Sequence, residues 1–185
     1  MNGRRADPEL TRGRIRQSLL DLMQSMDFKE ITVTRLCSEA GVSRGTYYLH
    51  YSDKLQVLDE LLDIALDRPG DDCYRCTRTD EEYACPYGIC DRVREHPEYG
   101  ALFFDESLTG IVVEKITMRS MDGYVRELTD NFGFTPNQAR TVFKFQLNGC
   151  LAINRDAFQR GLMLLEDNRD LIGRFIQNGL CMFTR

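Results

Sequence analysis

The sequence predicts an all-α protein with a small N-terminal head and a larger helical body. Apolar residues recur every three to four positions along most of the chain, which is the spacing of one buried face of an α-helix. No stretch alternates apolar and polar residues as a half-buried strand does, and no internal repeat is visible. Apolar residues make up 42% and charged residues 29% of the 185 positions, which is typical of a folded globular protein.

The first predicted helix ends near residues 27–28 and is amphipathic. Its apolar stripe is formed by Ile15, Leu19, Leu22, Met23 and Met26. A longer helix follows near residue 53, capped by Ser52 or Asp53, and ends before Arg68-Pro69-Gly70. The shared face of this second long helix is predicted to consist of Leu55, Leu58, Leu62, Ala65 and Leu66.

Between these helices the sequence predicts two short helices joined by a glycine turn. Thr32 is placed to cap the first, and Gly41 ends it because glycine readily takes the left-handed conformation. Ser43 is placed to cap the second, over roughly residues 44–50. Two short helices around a tight turn are typical of a helix-turn-helix, whose second helix enters the major groove of DNA.

The residue types of this segment suit contacts with DNA. The candidate contacts are Thr32, Thr34, Arg35, Ser43, Arg44, Gly45, Thr46, Tyr47, Tyr48, His50, Tyr51 and Lys54. Arginine reaches guanine or phosphate, and threonine contacts a thymine methyl or a phosphate. Gly45 would let the backbone approach DNA closely.

Other members of the candidate set are expected to contact the DNA backbone. Tyr47, His50 and Tyr51 could donate to phosphate from the flank of the second helix. Lys54 stands in the first turn of the next helix, where backbone N–H groups also attract phosphate. The threonines at the start of the first short helix would hold the other strand.

Charge is unevenly distributed along the chain, whose net charge is −5. Residues 1–54 hold nine basic and seven acidic residues, whereas residues 55–185 hold fifteen and twenty-two. A mildly basic head can bind phosphate beside an acidic body because salt screens charges beyond about 10 Å. No apolar run approaches membrane-spanning length and the N-terminus does not resemble a secretory signal, so we expect a cytoplasmic protein without a membrane partner.

The body is predicted to begin after a polar segment. Residues 71–90 are polar and turn-forming, which indicates a linker or insertion between a head at 9–68 and a body at 91–185. Joints are expected at Pro97, around Gly100 to Gly110, and at Gly133. Thr135 and Pro136 begin a helix with Phe143, Leu147, Leu151, Phe158 and Leu162 on one side. The final helix, about 167–183, presents Leu171, Phe175 and Leu180, flanked by Ile172, Ile176 and Phe183.

Four of the seven cysteines lie in the polar segment with the spacing C-x2-C-x8-C-x4-C. They are Cys73, Cys76, Cys85 and Cys90. Four thiolates suit tetrahedral Zn²⁺, although the middle spacer is shorter than that of common zinc motifs. A zinc site, a redox-sensing pair and ordinary loop thiols all fit this pattern. The remaining cysteines, Cys37, Cys150 and Cys181, are predicted to be structural.

The head resembles the DNA-binding head of the tetracycline-repressor (TetR/AcrR) family. The matching residues are Ile31, Thr32, Val33, Leu36, Ala40, Gly41, Val42, Ser43, Arg44, Gly45, Thr46, Tyr48, His50, Tyr51, Asp53, Lys54 and Leu55. Tyr51 stands where that family commonly has phenylalanine. The close resemblance covers roughly residues 9–68, and the basic N-terminal residues Arg4, Arg5, Arg12, Arg14 and Arg16 also look like the family's.

This resemblance implies a dimeric repressor that binds a palindromic DNA operator and is released by a small-molecule effector. The last two helices of each subunit would form the dimer interface, and the body would enclose the effector. Small residues Gly149, Ala152 and Ala157 would permit close helix approach there, or would serve as packing sites within one subunit. Side chains that could line the effector pocket, or be plain core, are Phe103, Phe104, Met118, Met121, Phe143 and Phe145.

Other classes of function fit less well. A thiol oxidoreductase using Cys73 and Cys76 would place the pair after a strand, and no strand is predicted. The only histidines, His50 and His96, have no predicted nucleophile partner, so we expect no enzyme. A metal- or redox-sensing regulator of the same family remains an alternative, as does a helical protein-interaction adaptor.

Overall fold

In a computed structural model the protein is described over residues 7–67, 89–161 and 166–182. Every regular element in these ranges is a helix, which confirms the all-α prediction. The chain divides into two compact units, Met1–Asp67 and Arg68–Arg185, called here the head and the body. The finer boundaries 9–68, 71–90 and 91–185 stay predictions. None of the helices in these ranges combines the length and apolarity needed to span a bilayer.

The head contains four α-helices. They are α1 (Pro8–Met23), α2 (Val33–Ala40), α3 (Arg44–Tyr48) and α4 (Lys54–Leu66), with a 3₁₀ turn at Phe28–Glu30 between α1 and α2. Helix α1 packs against both α2 and α4, and α2 packs against α3. The side chains buried between them include Ile15 and Leu19 of α1, Leu36 of α2 and Leu58 of α4, each no more than 1% exposed.

Side-chain caps fix where the head helices begin and end. Thr32 Oγ1 accepts the Arg35 N–H at 3.2 Å at the start of α2. Gly41 ends α2 in the left-handed region, at φ 61°. Ser43 Oγ accepts the Thr46 N–H at 3.0 Å, so the three predicted caps are confirmed.

Asp53, rather than Ser52, caps α4 by accepting the Gln56 N–H at 3.0 Å. The buried face of α4 is rotated from the predicted one. Val57 and Leu61 are buried, whereas Leu55 is 49% exposed. The prediction for Leu55 was wrong because the face is centred between Leu58 and Leu61, which leaves Leu55 at its edge.

The described part of the body contains a 3₁₀ turn at Glu106–Leu108 and five α-helices. They are α5 (Ile89–Glu95), α6 (Tyr99–Phe104), α7 (Thr109–Phe132), α8 (Pro136–Gln159) and α9 (Glu166–Cys181). The predicted joints at Pro97 and Gly133 are confirmed, with Gly133 at φ 70° after α7. Thr135 and Gln138 form a reciprocal capping box at the start of α8, because each side chain pairs with the other residue's backbone N–H.

Helices α7 and α8 make the most extensive contact in the body, and α6 packs against α8. Phe143 and Leu147 of α8 are buried with Phe103 of α6. Phe158 of α8 also packs against α6, with its ring centre 5.7 Å from that of Phe104, although 39% of its surface stays exposed. The prediction that Phe175 of α9 shares a face with the buried Leu180 needs correction, because Phe175 is 70% exposed.

The buried side of α9 includes Ile176 and Leu180, whereas Leu171 is 66% exposed. Helix α9 is therefore amphipathic with part of its apolar surface facing outward. Leu162 and Phe183 lie outside the described residues. Of the predicted 71–90 linker, Ile89 and Cys90 belong to α5, and residues 71–88 are not described.

Candidate nucleic-acid interface

Helix α3 has one buried side and one exposed side. Tyr47 is fully buried in the head, at 0% exposure. On the opposite side Gly45 and Leu49 lie one turn apart, joined by a hydrogen bond from the Leu49 N–H to the Gly45 carbonyl at 3.2 Å. Both are exposed, and Leu49 is 83% exposed. We call this line of two residues the outer row of α3.

Polar and aromatic groups flank the outer row. The guanidinium of Arg44 lies 6.0 Å from the centre of the Tyr48 ring, and both side chains are exposed. Tyr48 in turn packs edge-on against Tyr47, with ring centres 5.4 Å apart. On the other flank Thr46 Oγ1 lies 2.8 Å from Ser43 Oγ. An arginine, a phenol and two hydroxyls thus surround the outward side of a short helix.

The start of α2 adds a second group of exposed side chains. Thr32, Thr34 and Arg35 are all exposed, and Thr32 also serves as the helix cap. The residues that the sequence predicts to hold the other DNA strand are thus available on the surface of the head. His50, after α3, is half-buried.

Three of the predicted DNA contacts are instead used inside the head. Tyr47 is buried, and Tyr51 is 1% exposed with its hydroxyl donating to Glu60 at 2.7 Å. The Lys54 ammonium donates to the carbonyls of Phe28 and Ile31, each at 2.7 Å. These side chains would have to leave their partners or the core to reach phosphate. Each of the three side chains is thus held by the fold of the head itself.

The Lys54 site joins the first turn of α4 to the segment before α2. Lys54 Nζ also lies 3.2 Å from the Lys29 carbonyl and 4.4 Å from the centre of the Phe28 ring. Burial lowers the pKa of this lysine from its ordinary value. Three carbonyl oxygens and an aromatic face stabilise the charged form in this position. The lysine thus has a structural role within the head.

Glu60 of α4 is the centre of an ion-pair cluster that the sequence analysis missed. Its carboxylate accepts hydrogen bonds from Arg12 at 2.8 Å, Arg16 at 2.5 Å and Tyr51 at 2.7 Å. Burial alone would raise the pKa of Glu60, but these three partners outweigh burial and lower it. Burial and the bond to Glu60 together raise the pKa of Tyr51 to about 12, so Tyr51 remains a donor at neutral pH.

Arg14 was also missed as a structural residue. Its guanidinium donates to the Ala40 carbonyl at 2.6 Å and lies 3.4 Å from the Gly41 carbonyl, so it satisfies the end of α2. Arg12 and Arg16 are four residues apart on one face of α1, which is the spacing that could have predicted a shared acidic partner. No local pattern in the sequence points from Arg14 to residue 40.

The candidate effector-pocket residues fall into two groups. Phe103, Phe104 and Phe143 are buried in the body, and Met121 is half-buried. Met118 and Phe145 are 74% and 72% exposed. The last two are therefore corrected, because an exposed side chain on the outer side of a helix does not line an enclosed pocket.

The candidate zinc cluster is only partly described. Cys73, Cys76 and Cys85 lie outside the described residues. Cys90 lies in α5, half-buried, with Sγ 3.5 Å from Asn154 Oδ1. Within the described ranges no three histidine, cysteine or acidic residues form a group that could hold a metal ion. The zinc and redox hypotheses stay open.

Comparison with known proteins gives a limited likeness. No protein-family model matches the chain. The chain is similar to a protein named "Uncharacterized HTH-type transcriptional regulator YxbF" from Bacillus subtilis (strain 168). The two are 32% identical over 56 residues, which is 30% of this chain and 15% of that relative. The likeness thus covers a small part of the relative's length.

Replacing Tyr47 by phenylalanine tests whether its hydroxyl contacts DNA or only lies buried. The hydroxyl has no hydrogen-bond partner among the described residues. Removing an unpaired buried polar group avoids a desolvation penalty of about 1–3 kcal/mol. We expect Tyr47→Phe to raise the free energy of unfolding by up to about that amount, measured by urea denaturation, and to leave DNA affinity unchanged.

Tyr51→Phe is the matched control for this substitution, because the same atom is removed where it is hydrogen-bonded. It should lower the free energy of unfolding, since Glu60 loses a donor. Loss of DNA affinity in Tyr47→Phe, with stability unchanged or lower, would show that the tyrosine reaches the duplex after all.

The Glu60 cluster makes the stability of the head depend on pH. Because the folded pKa of Glu60 lies below its ordinary value of 4.5, its ionised form stabilises the fold. This contribution is complete above about pH 4.5 and is lost as the pH falls through the lowered folded value. We expect Glu60→Gln to lower the free energy of unfolding at pH 7 by about 1.5–3 kcal/mol, the worth of a hydrogen bond to a charged group.

Urea denaturation of the wild type and of Glu60→Gln between pH 3 and 7 measures this effect. The two curves of stability against pH should converge below pH 4.5. Glu39→Gln, which changes an exposed carboxylate on α2, is the control and should follow the wild type. A difference that is the same at every pH would mean that the Glu60 charge does not stabilise the head.

Proposed function

We propose that the protein is a transcriptional regulator that binds duplex DNA through α2 and α3. The likeness to an HTH-type transcriptional regulator supports a DNA-binding regulator. The arrangement of α2, the Gly41 turn and α3 supports the placement of the site, because a second short helix with an exposed side can enter the major groove. The contacts proposed are those with exposed or half-buried side chains, together with Gly45. They are Thr32, Thr34, Arg35, Ser43, Arg44, Gly45, Thr46, Tyr48 and His50.

The observation that carries this proposal is a glycine at position 45 that the structure of the head does not require. A Cβ added there would meet only Ser43 Oγ, at an ordinary van der Waals distance of 3.7 Å, so packing within the head does not require glycine. Its φ lies outside the left-handed region, so the backbone does not require glycine either. Glycine within a helix costs about 0.5–1 kcal/mol relative to alanine. An external surface that approaches the backbone closely explains why this position lacks a side chain.

The cations of the head support the same surface. Arg12, Arg14 and Arg16 are bound within the head. Arg35 and Arg44 are exposed at the starts of α2 and α3. The described arginines of the head thus divide into three that bind within it and two that lie beside the proposed groove-facing side.

Gly45→Ala should separate stability from DNA affinity. We expect the free energy of unfolding to rise by about 0.5–1 kcal/mol, because alanine is the better helix former. The free energy of DNA binding should become less favourable by about 1–3 kcal/mol, which is the cost of one mismatched base pair in a specific interface. The probe is a duplex selected from a randomised library by the full wild-type chain, with binding measured by fluorescence anisotropy and stability by urea denaturation.

Arg44→Ala is the companion variant, since it should lose affinity without gaining stability. Binding by the wild type should also weaken steeply with salt because phosphate contacts release counterions. A protein-interaction adaptor would select no duplex and show no such salt dependence. If Gly45→Ala binds the selected duplex as tightly as the wild type, α3 does not enter the groove by its outer row.

We further propose that the protein acts as a homodimer through α8 and α9. Each helix has an outward-facing stripe of apolar and small residues. They are Phe145, Gly149, Ala152 and Ile153 on α8, and Leu171, Phe175 and Gly179 on α9 with Met182 directly after it. A Cβ on either of the two glycines would meet nothing within 4 Å. Stripes of this kind are buried when two copies of a helix pair associate, and a palindromic operator requires such a symmetric pair.

Phe145→Asp and Phe175→Asp should each shift the protein toward monomer. A carboxylate in the apolar contact would be buried without a partner, which opposes association. Light scattering after size-exclusion chromatography measures the mass, and anisotropy on the selected duplex should show weaker binding because only one head engages at a time.

Met118→Asp is the matched control for the dimer. Met118 is 74% exposed, similar to Phe145, but lies on α7 beside the exposed Glu114, Arg119 and Asp122. This variant should keep the wild-type mass and affinity. A wild-type protein that is monomeric at the concentrations used for DNA binding would contradict the dimer proposal.

Release from DNA by a small molecule is the remaining part of the proposal, and the family resemblance carries it. The body interior has polar groups beside its aromatic ones, since Tyr124 donates to Gln146 at 2.5 Å and packs against Phe143. Such a mixture of buried aromatic and polar side chains suits recognition of a small organic molecule. An effector that binds the body would raise the melting temperature and lower affinity for the selected duplex.

A further inference from the structure

Among the described residues of the head, Leu49 is the most exposed large apolar one, at 83%. It follows Tyr48, the last residue of α3, but keeps helical dihedrals, φ −74° and ψ −21°. Its N–H donates to the carbonyls of Gly45 and Thr46, at 3.2 and 3.3 Å. The register of α3 therefore extends through Leu49, and its side chain belongs to the outer row that Gly45 begins.

Packing within the head does not account for this leucine. The ring of Tyr48, the preceding residue, packs against the Tyr47 ring and lies near the Arg44 guanidinium. Leu49 points to the opposite side of the helix from the buried Tyr47, about 160° away by helical geometry. Single exposed leucines are common on protein surfaces. This one is notable because it stands one turn beyond a glycine for which the head itself gives no reason.

The chemistry of the outer row restricts what Leu49 can recognise in DNA. A leucine side chain has no hydrogen-bond donor or acceptor, so it cannot use the polar code of the base edges. The one apolar group that bases present in the major groove is the 5-methyl of thymine. Gly45 would let the helix approach closely enough for the branched end of Leu49 to reach that methyl group.

We infer that Leu49 is a specificity-determining residue that contacts a thymine methyl in each half of the DNA site. The inference rests on the proposed function and deepens it, because it names the group that is read and the residue that reads it. Arg44 and Thr46 supply the polar contacts on either side of the row, and Leu49 supplies discrimination between thymine and bases that lack a methyl group.

Replacement of thymine by deoxyuridine tests this directly, because the exchange removes only the methyl group. The duplex is one selected from a randomised library by the full wild-type chain, and each thymine of the half-site is replaced in turn, symmetrically in both halves. Anisotropy titrations then compare the wild type with Leu49→Ala on every duplex. Leu10→Ala, which truncates a leucine on α1 that is 63% exposed, is the matched control.

At one thymine position the wild type should lose affinity about fourfold per half-site on removal of the methyl, as expected for one buried carbon group. Leu49→Ala should bind the unmodified duplex more weakly by at least a similar factor, and should show no further loss with deoxyuridine at that position. Leu10→Ala should respond as the wild type does. This non-additive pattern is the signature of a direct contact between Leu49 and the methyl.

Three outcomes would overturn the inference. One is tight wild-type binding that no deoxyuridine replacement weakens. Another is a deoxyuridine effect of equal size in Leu49→Ala and in the wild type, which would assign the methyl to a different residue. The third is a change of mass in Leu49→Ala, which would assign the leucine to a protein contact.

The failure of the proposed function would look different. In that case the wild type would select no duplex, and its binding to any duplex would be weak and unselective. Because Leu49 is 83% exposed, its truncation should leave the melting temperature unchanged. A melting curve for each variant therefore confirms that the affinities compare folded proteins.

Discussion

The burial of Tyr47 sets the rotation of α3 about its own axis, and the surface of the head depends on that rotation. Once this ring is fully inside, Gly45 and Leu49 must face outward, and Arg44 and Thr46 must lie on the flanks. The aromatic surface placed in the core stabilises the helix, which has only five residues and would not form alone in water. The same side chain thus holds the helix and determines which residues it presents.

The Glu60 cluster also fixes the helices of the head relative to one another. One carboxylate of α4 accepts from two arginines of α1 and from Tyr51, three residues after the end of α3, so it links α1 and the segment after α3 to α4. Removal of one partner from such a network leaves the others short of a bond. The position of α3 relative to α1 and α4 therefore depends on ionic contacts as well as on apolar packing.

The sequence was sufficient for features that depend on local chemistry. The caps at Thr32, Ser43 and Thr135 were predictable because each is formed by a side chain and the backbone N–H three residues further on. The sequence was not sufficient for residues with two possible roles, because tertiary packing decides which role each one takes. Tyr47, Tyr51 and Lys54 have groups that suit phosphate. In the folded head, however, Tyr47 is buried, Tyr51 donates to the Glu60 carboxylate, and Lys54 donates to three backbone carbonyl groups. Likewise no pattern in the sequence pointed to Leu49, because the proposed role of this side chain depends on its position opposite Tyr47 on α3.

The end of α2 places two independent demands on one position. Gly41 has a left-handed backbone, and a Cβ there would approach the Arg14 guanidinium to 2.8 Å. Asparagine, which tolerates the backbone conformation better than most residues, would still meet the arginine. A side chain at position 41 would therefore strain the backbone and push the guanidinium away from the Ala40 carbonyl, so one substitution would loosen both the end of α2 and its link to α1.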